Sequence, residues 1–431
     1  MSPDPAEIQS LDPLEKLKNI IPRLYAGAWQ LIQLRGAPLS CDDINRGDVD
    51  FLTNQASLTH LLTAAYSWVQ DGLCHAHIVA RDKNKTTLRF ISVDGLHWIQ
   101  LDLWIYLWQI GDKTRYLRFE HCIDILQPTT SSICRLPLAA EIALYIFHLQ
   151  AKKKQLSTEQ VQHRIRNYIS ECKTQGLTEL NSHLFIASET HHLSAALIDA
   201  ARQTLATYGL LKKSESASKS GKIFEEAKEL WLAAPRQFSA FAVMGCDGSG
   251  KTTLIRHLAA RNTQLRPHVG KRLYRNSLLY KTLVALVRPL LFTSRDRFDD
   301  LLAPFNYFRA SVALQAILLL KTDNIIAFDR SLIDFLMINR KTDNPRWHKQ
   351  SWLSQVIGRR IPTFHLITPY DCLAKRKREI TAAGHTKYDN AVFSLIANRI
   401  PTDYTLFYNG SDLESSTIAL ERIINSRRRL Q

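Results

Sequence analysis

Residues 245–253 of the chain read GCDGSGKTT. Gly245, Gly250, Lys251 and Thr252 fit G-x4-G-K-[ST] without deviation, and each residue type has a physical task in gripping a polyphosphate. Glycines at 245, 248 and 250 permit unusual dihedrals and close backbone approach. Together with Ser249 and Thr253 they make a loop whose N–H groups, at a helix N-terminus, point at phosphate oxygens. Lys251 neutralises the β- and γ-phosphates, and Thr252 offers its hydroxyl to Mg²⁺. The chemistry predicted is binding of ATP with Mg²⁺ and transfer of its terminal phosphoryl group.

Such a loop needs a strand before it and a helix after it. FSAFAVM (238–244) is apolar and reads as a buried parallel strand, and KTTLIRHL opens a helix with Leu254 and Leu258 on one face. Upstream, residues 17–125 mix helical segments with the strand-like runs HIVA (77–80), LRFISV (88–93) and HWIQLDLWIYLW (97–108). Residues 137–210 read as helical. Ser157 to Gln160 is expected to form a capping box, followed by a stripe of Val161, Ile165 and Ile169; Leu193, Leu197 and Ala201 form a second stripe. KKSESASKSGK (212–222) reads as a loop, and a short helical piece is expected at 223–233. The apolar stretches 278–292 and 311–321 read as packed core helices, because the first carries Lys281 and Arg288 and the second is too short to span a bilayer. Three units are thus expected, at 1–130, 131–235 and 236–431.

The net charge of +16 is unevenly placed. Residues 236–431 hold 31 Lys and Arg against 15 Asp and Glu, whereas the first 235 residues hold 25 of each. All the excess falls on the half with the glycine loop, which implies an anionic partner there. Nucleotide and acceptor phosphates account for part of it. Nucleic acid is the rival partner, although the aromatic interleaving that stacks on bases is missing. Seven scattered cysteines without a C-x-x-C pair, and an acidic, Pro-bearing N-terminus, imply a cytoplasmic protein without structural zinc, disulfides or membrane insertion. The sequence leaves homo-oligomer formation open.

GCDGSGKTTL resembles the P-loop of thymidylate kinases and their relatives. Other segments agree: NIIAFDRS (324–331) resembles the family's strand ending in Asp-Arg, IPTFHLITP (361–369) its next strand, LAKRKREI (373–380) its Arg-rich lid and YTLFYNGSD (404–412) its last strand and turn. The resemblance implies that Asp329 orients the Mg²⁺ shell or the acceptor. Arg330 then grips the acceptor phosphate, and Arg376 and Arg378 fold over the transferring group. Asp247, inside the loop, is set to contact water, acceptor or attacking group, and Arg309 to face the acceptor. A Glu-Pro-Gly-Gly-type segment is missing at 268–281. DRSLIDFLMINR lies closer to thymidylate-kinase-like domains of multidomain bacterial proteins than to the Asp-Arg-Tyr of the enzymes themselves.

Nearer the N-terminus, Gly36-Ala37 precedes Asp48-Val49-Asp50 by ten residues, and Asp102 follows on a later strand. Alternation puts Asp48 and Asp50 on one strand face. The pattern resembles that of nucleotidyltransferases, with Ala37 where that superfamily has Ser, and implies that the three acids cage Mg²⁺ for two-metal chemistry. His75 and His77, two apart on a strand, read as one satisfied and one exposed histidine, with a metal pair as the alternative.

The fold class expected is α/β. It comprises a C-terminal P-loop kinase fold with a parallel sheet and helices on both faces, an N-terminal α+β nucleotidyltransferase-like domain and a helical middle domain. The expected function is γ-phosphoryl transfer from ATP to a nucleotide or phosphosugar acceptor. The alternatives are an NTP-binding switch or sensor and a nucleic-acid-end kinase.

Overall fold

The computed structural model describes residues 10–80, 84–108, 116–126, 131–211, 240–269, 282, 285, 324–330, 361–376, 381–397 and 403–429. The segments 212–222, 223–233 and 311–321, and all but two residues of 278–292, lie outside these.

The chain opens with α1 (Pro13–Lys18) and α2 (Ile20–Ala26), followed by β1 (Leu31–Gln33), β2 (Asp48–Thr53) and α3 (Gln55–Gln70). Three strands follow, β3 (His75–Ala80), β4 (Lys85–Ile91) and β5 (Trp98–Trp104). A small ribbon of β6 (Tyr106–Trp108) and β7 (Tyr116–Arg118) precedes β8 (Ile133–Arg135). The run 97–108 expected as one strand is therefore two. Ile105 N–H bonds to the Asn84 carbonyl at 2.8 Å, and β6 then turns away to pair with β7.

Four helices come next: α4 (Leu138–Lys152), α5 (Glu159–Gln175), α6 (Thr178–Thr190) and α7 (Ala195–Thr207). Val161, Ile165 and Ile169, and Leu197 with Ala201, are buried as their spacing demands. The capping box expected at Ser157 does not form. Thr158 is the N-cap without a side-chain cap bond, because its hydroxyl donates to the Gln155 carbonyl instead, at 3.2 Å.

The last part holds β9 (Ala240–Gly245), α8 (Lys251–Arg261), β10 (Leu265–Val269), β11 (Ile325–Asp329) and β12 (Thr363–Ile367). It closes with α9 (Tyr370–Arg376), α10 (Ala382–Ala397), β13 (Asp403–Tyr408) and α11 (Leu413–Arg429). β10, β11, β9, β12 and β13 pair in that order and are all parallel. β9 and β12 are buried along their whole length, which explains why they read as continuous apolar runs: both faces of a parallel sheet are covered. Phe241, Val243, Phe364 and Leu366 face α8 and α11. Met244, Ile367, Tyr404 and Leu406 face the opposite way, toward α3 and α10. Burying Leu254, Ile255 and Leu258 of α8 stabilises this packing by about 1.5–3 kcal/mol for each side chain.

The two halves of the chain share one eleven-stranded sheet, because β13 pairs antiparallel with β3. Strand order continues β3, β4, β5, β2, β1, β8. Helix α3 packs against both β3 and β13, and against α10. Its Leu58, Leu61, Leu62 and Ala65 join a core that runs from Phe51 and Phe90 of one half to Met244 and Tyr404 of the other. A second core holds α4–α7 against Ile32 and Leu52. All seven cysteines are free. No helix among the described residues is long and apolar enough to cross a membrane.

Candidate functional site

The loop after β9 owes its place to strand order. β9 lies between β11 and β12: the chain leaves it toward β10 and β11 on one side and later crosses to β12 on the other, and the crevice at the strands' carboxyl ends opens at this reversal. Gly248 and Gly250 have φ of 86°, a conformation that penalises side chains. Gly245 is required by space: a Cβ there would lie 2.6 Å from Ser249 Oγ and 3.1 Å from the Leu366 carbonyl oxygen.

Lys251 opens α8 and is buried. Its ammonium donates to the Gly245 and Cys246 carbonyls at 2.8 and 2.7 Å, which offsets the desolvation of a buried charge. Thr252 Oγ1 donates to Asp329 Oδ2 at 2.5 Å. The predicted hydroxyl and the predicted carboxylate, from α8 and β11, thus meet. Thr253 is exposed in the same helical turn.

Arg330 follows at the end of β11. Its N–H bonds to the Val243 carbonyl at 2.9 Å, and its guanidinium donates to Asp247 Oδ1 at 3.0 Å. Its φ is 100°, a left-handed conformation costing on the order of 1–3 kcal/mol for a non-glycine residue. Arg376, the last residue of α9, approaches from the other side: its Nη1 lies 3.5 Å from where a side chain at Gly250 would begin. Asn409, just past β13, donates from Nδ2 to the Ser249 carbonyl at 2.7 Å and pins the loop. Its part in the site had no signal in the sequence beyond its place in YTLFYNGSD. Lys251, Arg330 and Arg376 therefore gather with the positive end of α8 at one crevice, an arrangement that attracts an anion. Arg378 and Arg309 lie outside the described residues.

Asp48, Asp50 and Asp102 also come together. β2 and β5 are parallel, with Asp50 opposite Asp102, and one oxygen from each acid falls within 4.8 Å of the others. That spacing fits a single divalent ion bound at ordinary metal–oxygen distances. The sequence reading missed the counter-ions. Arg35 pairs with Asp50 and Lys85 with Asp102; Trp104 Nε1 donates to Asp50 and Thr87 Oγ1 to Asp102, at 3.0 and 2.8 Å. Burial raises the Asp102 carboxyl above its usual range, against the pull of Lys85. Burial also raises Asp48, but its hydrogen bond to Asp102 and the charges of Lys85 and Arg35 outweigh this and leave it low. Asp102 thus holds a proton more readily than Asp48 does.

The Gly36-Ala37 turn is fixed from the helical block, since Gly36 N–H donates to buried Glu141 at 3.0 Å. Tyr168 and Arg135 hold the same carboxylate, at 2.9 Å each. Burial lifts the Glu141 carboxyl above its usual range.

Neither histidine of β3 is exposed as expected. His75 donates from Nε2 to the Val93 carbonyl at 3.1 Å and accepts from Tyr408 N–H on Nδ1 at 3.0 Å. His77 Nε2 meets Asp403 at 3.0 Å. Both serve the seam with β13, which occupies the strand edge the sequence left open. The chain matches no protein-family model and no curated protein.

Proposed function

We propose that residues 236–431 form a P-loop phosphotransferase unit that binds ATP at the glycine loop and moves its γ-phosphoryl group to a nucleotide or phosphosugar acceptor. The observation that carries this reading is the junction of β9 and α8. There Lys251 is folded into a glycine loop, and Thr252 is bonded to Asp329 at the carboxyl edge of a parallel sheet. Backbone N–H groups and the start of α8 hold the triphosphate. Lys251 exchanges its loop carbonyls for phosphate oxygens and offsets their charge. Thr252 and Asp329 would hold Mg²⁺, which supplies further neutralisation of the phosphates. Arg330 and Arg376 approach from opposite sides and stabilise charge on the transferring group. In the transfer, an acceptor oxygen bonds to Pγ as the bond from Pγ to the β,γ-bridging oxygen breaks. ADP leaves with the electron pair, and the acceptor's proton passes to solvent.

The N-terminal acids suit a nucleotidyltransferase-like unit. Asp48, Asp50 and Asp102 would hold a divalent ion, which supplies Lewis-acid activation of a triphosphate. Any ion must compete with Arg35 and Lys85 for the same carboxylates, and Ala37 offers no hydroxyl, so this unit is proposed as the weaker catalyst of the two. A second reading, a nucleotide-dependent switch, is favoured by the shared sheet and by α3, which give a change at the glycine loop a packed route to the other half. The two readings separate on acceptor-dependent ADP release by the purified chain. Release that requires an acceptor and is lost in Lys251→Ala supports transfer. Tight ATP binding without acceptor-dependent release rejects transfer and leaves the switch.

A further inference from the structure

A cavity of about 470 Å³ opens at the seam between the two halves. One wall is a single face of α3, with Thr63, Tyr66, Ser67 and Gln70 spaced as neighbours on a helix. Thr368 and Tyr370, just past the end of β12, and Asp389 of α10 form the other wall.

The walls are tied together by Gln70 Nε2, which donates to Asp389 Oδ2 at 3.1 Å. His385 Nδ1 contacts the same oxygen at 3.1 Å, and its ring packs against Tyr370 at 5.9 Å. Two further polar atoms carry the argument. Thr368 Oγ1 is buried and makes no hydrogen bond among the described residues, the buried Tyr66 hydroxyl meets the Asp389 carboxylate, and all three residues line this cavity. Buried hydroxyls nearly always find a partner. An unpaired hydroxyl on one wall and a hydroxyl–carboxylate pair spanning both suit a ligand that carries several polar groups.

The lining also narrows the ligand's chemistry. It includes no lysine or arginine, so it is not built to hold a phosphate. Hydroxyls, amides and one carboxylate around an aromatic ring suit a molecule with an apolar face and a hydroxylated edge. The location adds a constraint. Ile367 lines the cavity, and its neighbour Leu366 is in register with Gly245. The cavity therefore opens at the same sheet edge as the glycine loop.

We infer that the seam cavity is the acceptor subsite and takes an uncharged, polyhydroxylated ring of monosaccharide size, with the ring's phosphate or reacting hydroxyl turned toward the glycine loop. The word acceptor rests on the phosphotransferase reading; the site and its ligand class do not. It also gives the N-terminal half a reason to be joined to the other, since α3 supplies one wall.

The test is saturation-transfer NMR on the full chain with glucose, galactose, N-acetylglucosamine and ribose, and with the 1-phosphate of each. At least one of these sugars should show saturated ring protons. Ser67→Trp, a substitution at an exposed position of α3 that fills the cavity mouth, should weaken that sugar at least tenfold. Tyr66→Phe, which removes one hydroxyl, should weaken it on the order of five- to tenfold. ATP binding, measured in parallel, should stay within about twofold in both variants, as neither touches the glycine loop. Absence of binding by every sugar overturns the inference, as does sugar binding that Ser67→Trp leaves unchanged, or saturation of thymidine's base protons with none of the sugars. If ATP fails to bind while a sugar does so in a Ser67-dependent way, the phosphotransferase reading falls and the site stands.

Discussion

Acidification should unfold this protein through its buried neutral histidines, starting well above the pH at which most carboxylates titrate. His75 has both ring nitrogens committed, Nε2–H to the Val93 carbonyl and Nδ1 to Tyr408 N–H, and its ring stacks on Phe407 at 4.2 Å. A second proton on Nδ1 would set one donor against another. Burial is the main reason its pKa falls to about 4. His365, buried and bonded to Tyr404 at 2.7 Å, falls to about 3, through burial first and then the Lys251 and His385 charges. In the unfolded chain both titrate near 6.5. Between pH 6.5 and about 4 the unfolded state therefore binds protons that the folded state refuses, so stability is full above 6.5 and falls as pH falls. Each histidine contributes a slope of about 1.4 kcal/mol per pH unit. His77 falls to about 4 as well, burial outweighing the pull of Asp403, and the three together remove roughly 5 to 6 kcal/mol between pH 7 and 5, much of a typical domain's stability. Urea unfolding followed by tryptophan fluorescence reads this, since Trp68 packs on Phe90 of the same sheet. His75→Gln should be less stable at pH 7 and lose about a third of the slope between pH 6.5 and 5, since His77 and His365 carry the rest. An unchanged slope in that variant, or an NMR titration of His75 with its midpoint near 6.5, would refute the reasoning.

Further expectations concern the two sites. Gly245→Ala should abolish nucleotide binding with circular dichroism unchanged, because its Cβ would meet Ser249 Oγ at 2.6 Å; ATP affinity within about twofold of wild type would contradict the loop's geometry. Arg330→Gly relieves a φ of 100°, worth about 1–3 kcal/mol, and loses a partly exposed ion pair worth about 0.2–1 kcal/mol. Chemical denaturation should show stability unchanged or higher by about 1 kcal/mol, with phosphoryl transfer reduced; a loss above about 1 kcal/mol would rule out the strain. Lys85→Met removes the cation on Asp102 and should strengthen Mn²⁺ binding at the acid cluster by roughly tenfold, a gain of about 1.4 kcal/mol read by calorimetry. If Asp48→Asn, made in the same background, does not reverse the gain, the ion sits elsewhere.

Much of the arrangement is legible in residue types and spacing because it is local. Gly245 to Thr252 dictate a strand–loop–helix junction within a dozen residues. The all-apolar runs of β9 and β12 require a sheet covered on both faces, and alternation sets Asp48 and Asp50 on one side of β2. Contacts between distant segments leave no such trace. Nothing in DKNK or LIQLRG marks Lys85 and Arg35 as counter-ions for acids on β5 and β2. Strand patterning shows which face of β3 is buried but not which strand takes its edge, so His75 and His77 could not be assigned to the seam with β13. Ser157 satisfies a capping pattern, yet one hydrogen bond from Thr158 to Gln155 moves the helix start past it. The bend at Ile105 depends on Asn84, twenty-one residues earlier.

The central claim is tested most directly by isothermal titration of the full chain with a non-hydrolysable ATP analogue and Mg²⁺, beside Lys251→Ala and Asp329→Asn. The account predicts one site per chain, lost in Lys251→Ala, with Mg²⁺ dependence of affinity weakened at least tenfold in Asp329→Asn. Analogue binding that survives Lys251→Ala, or no binding by the wild-type chain, would contradict it.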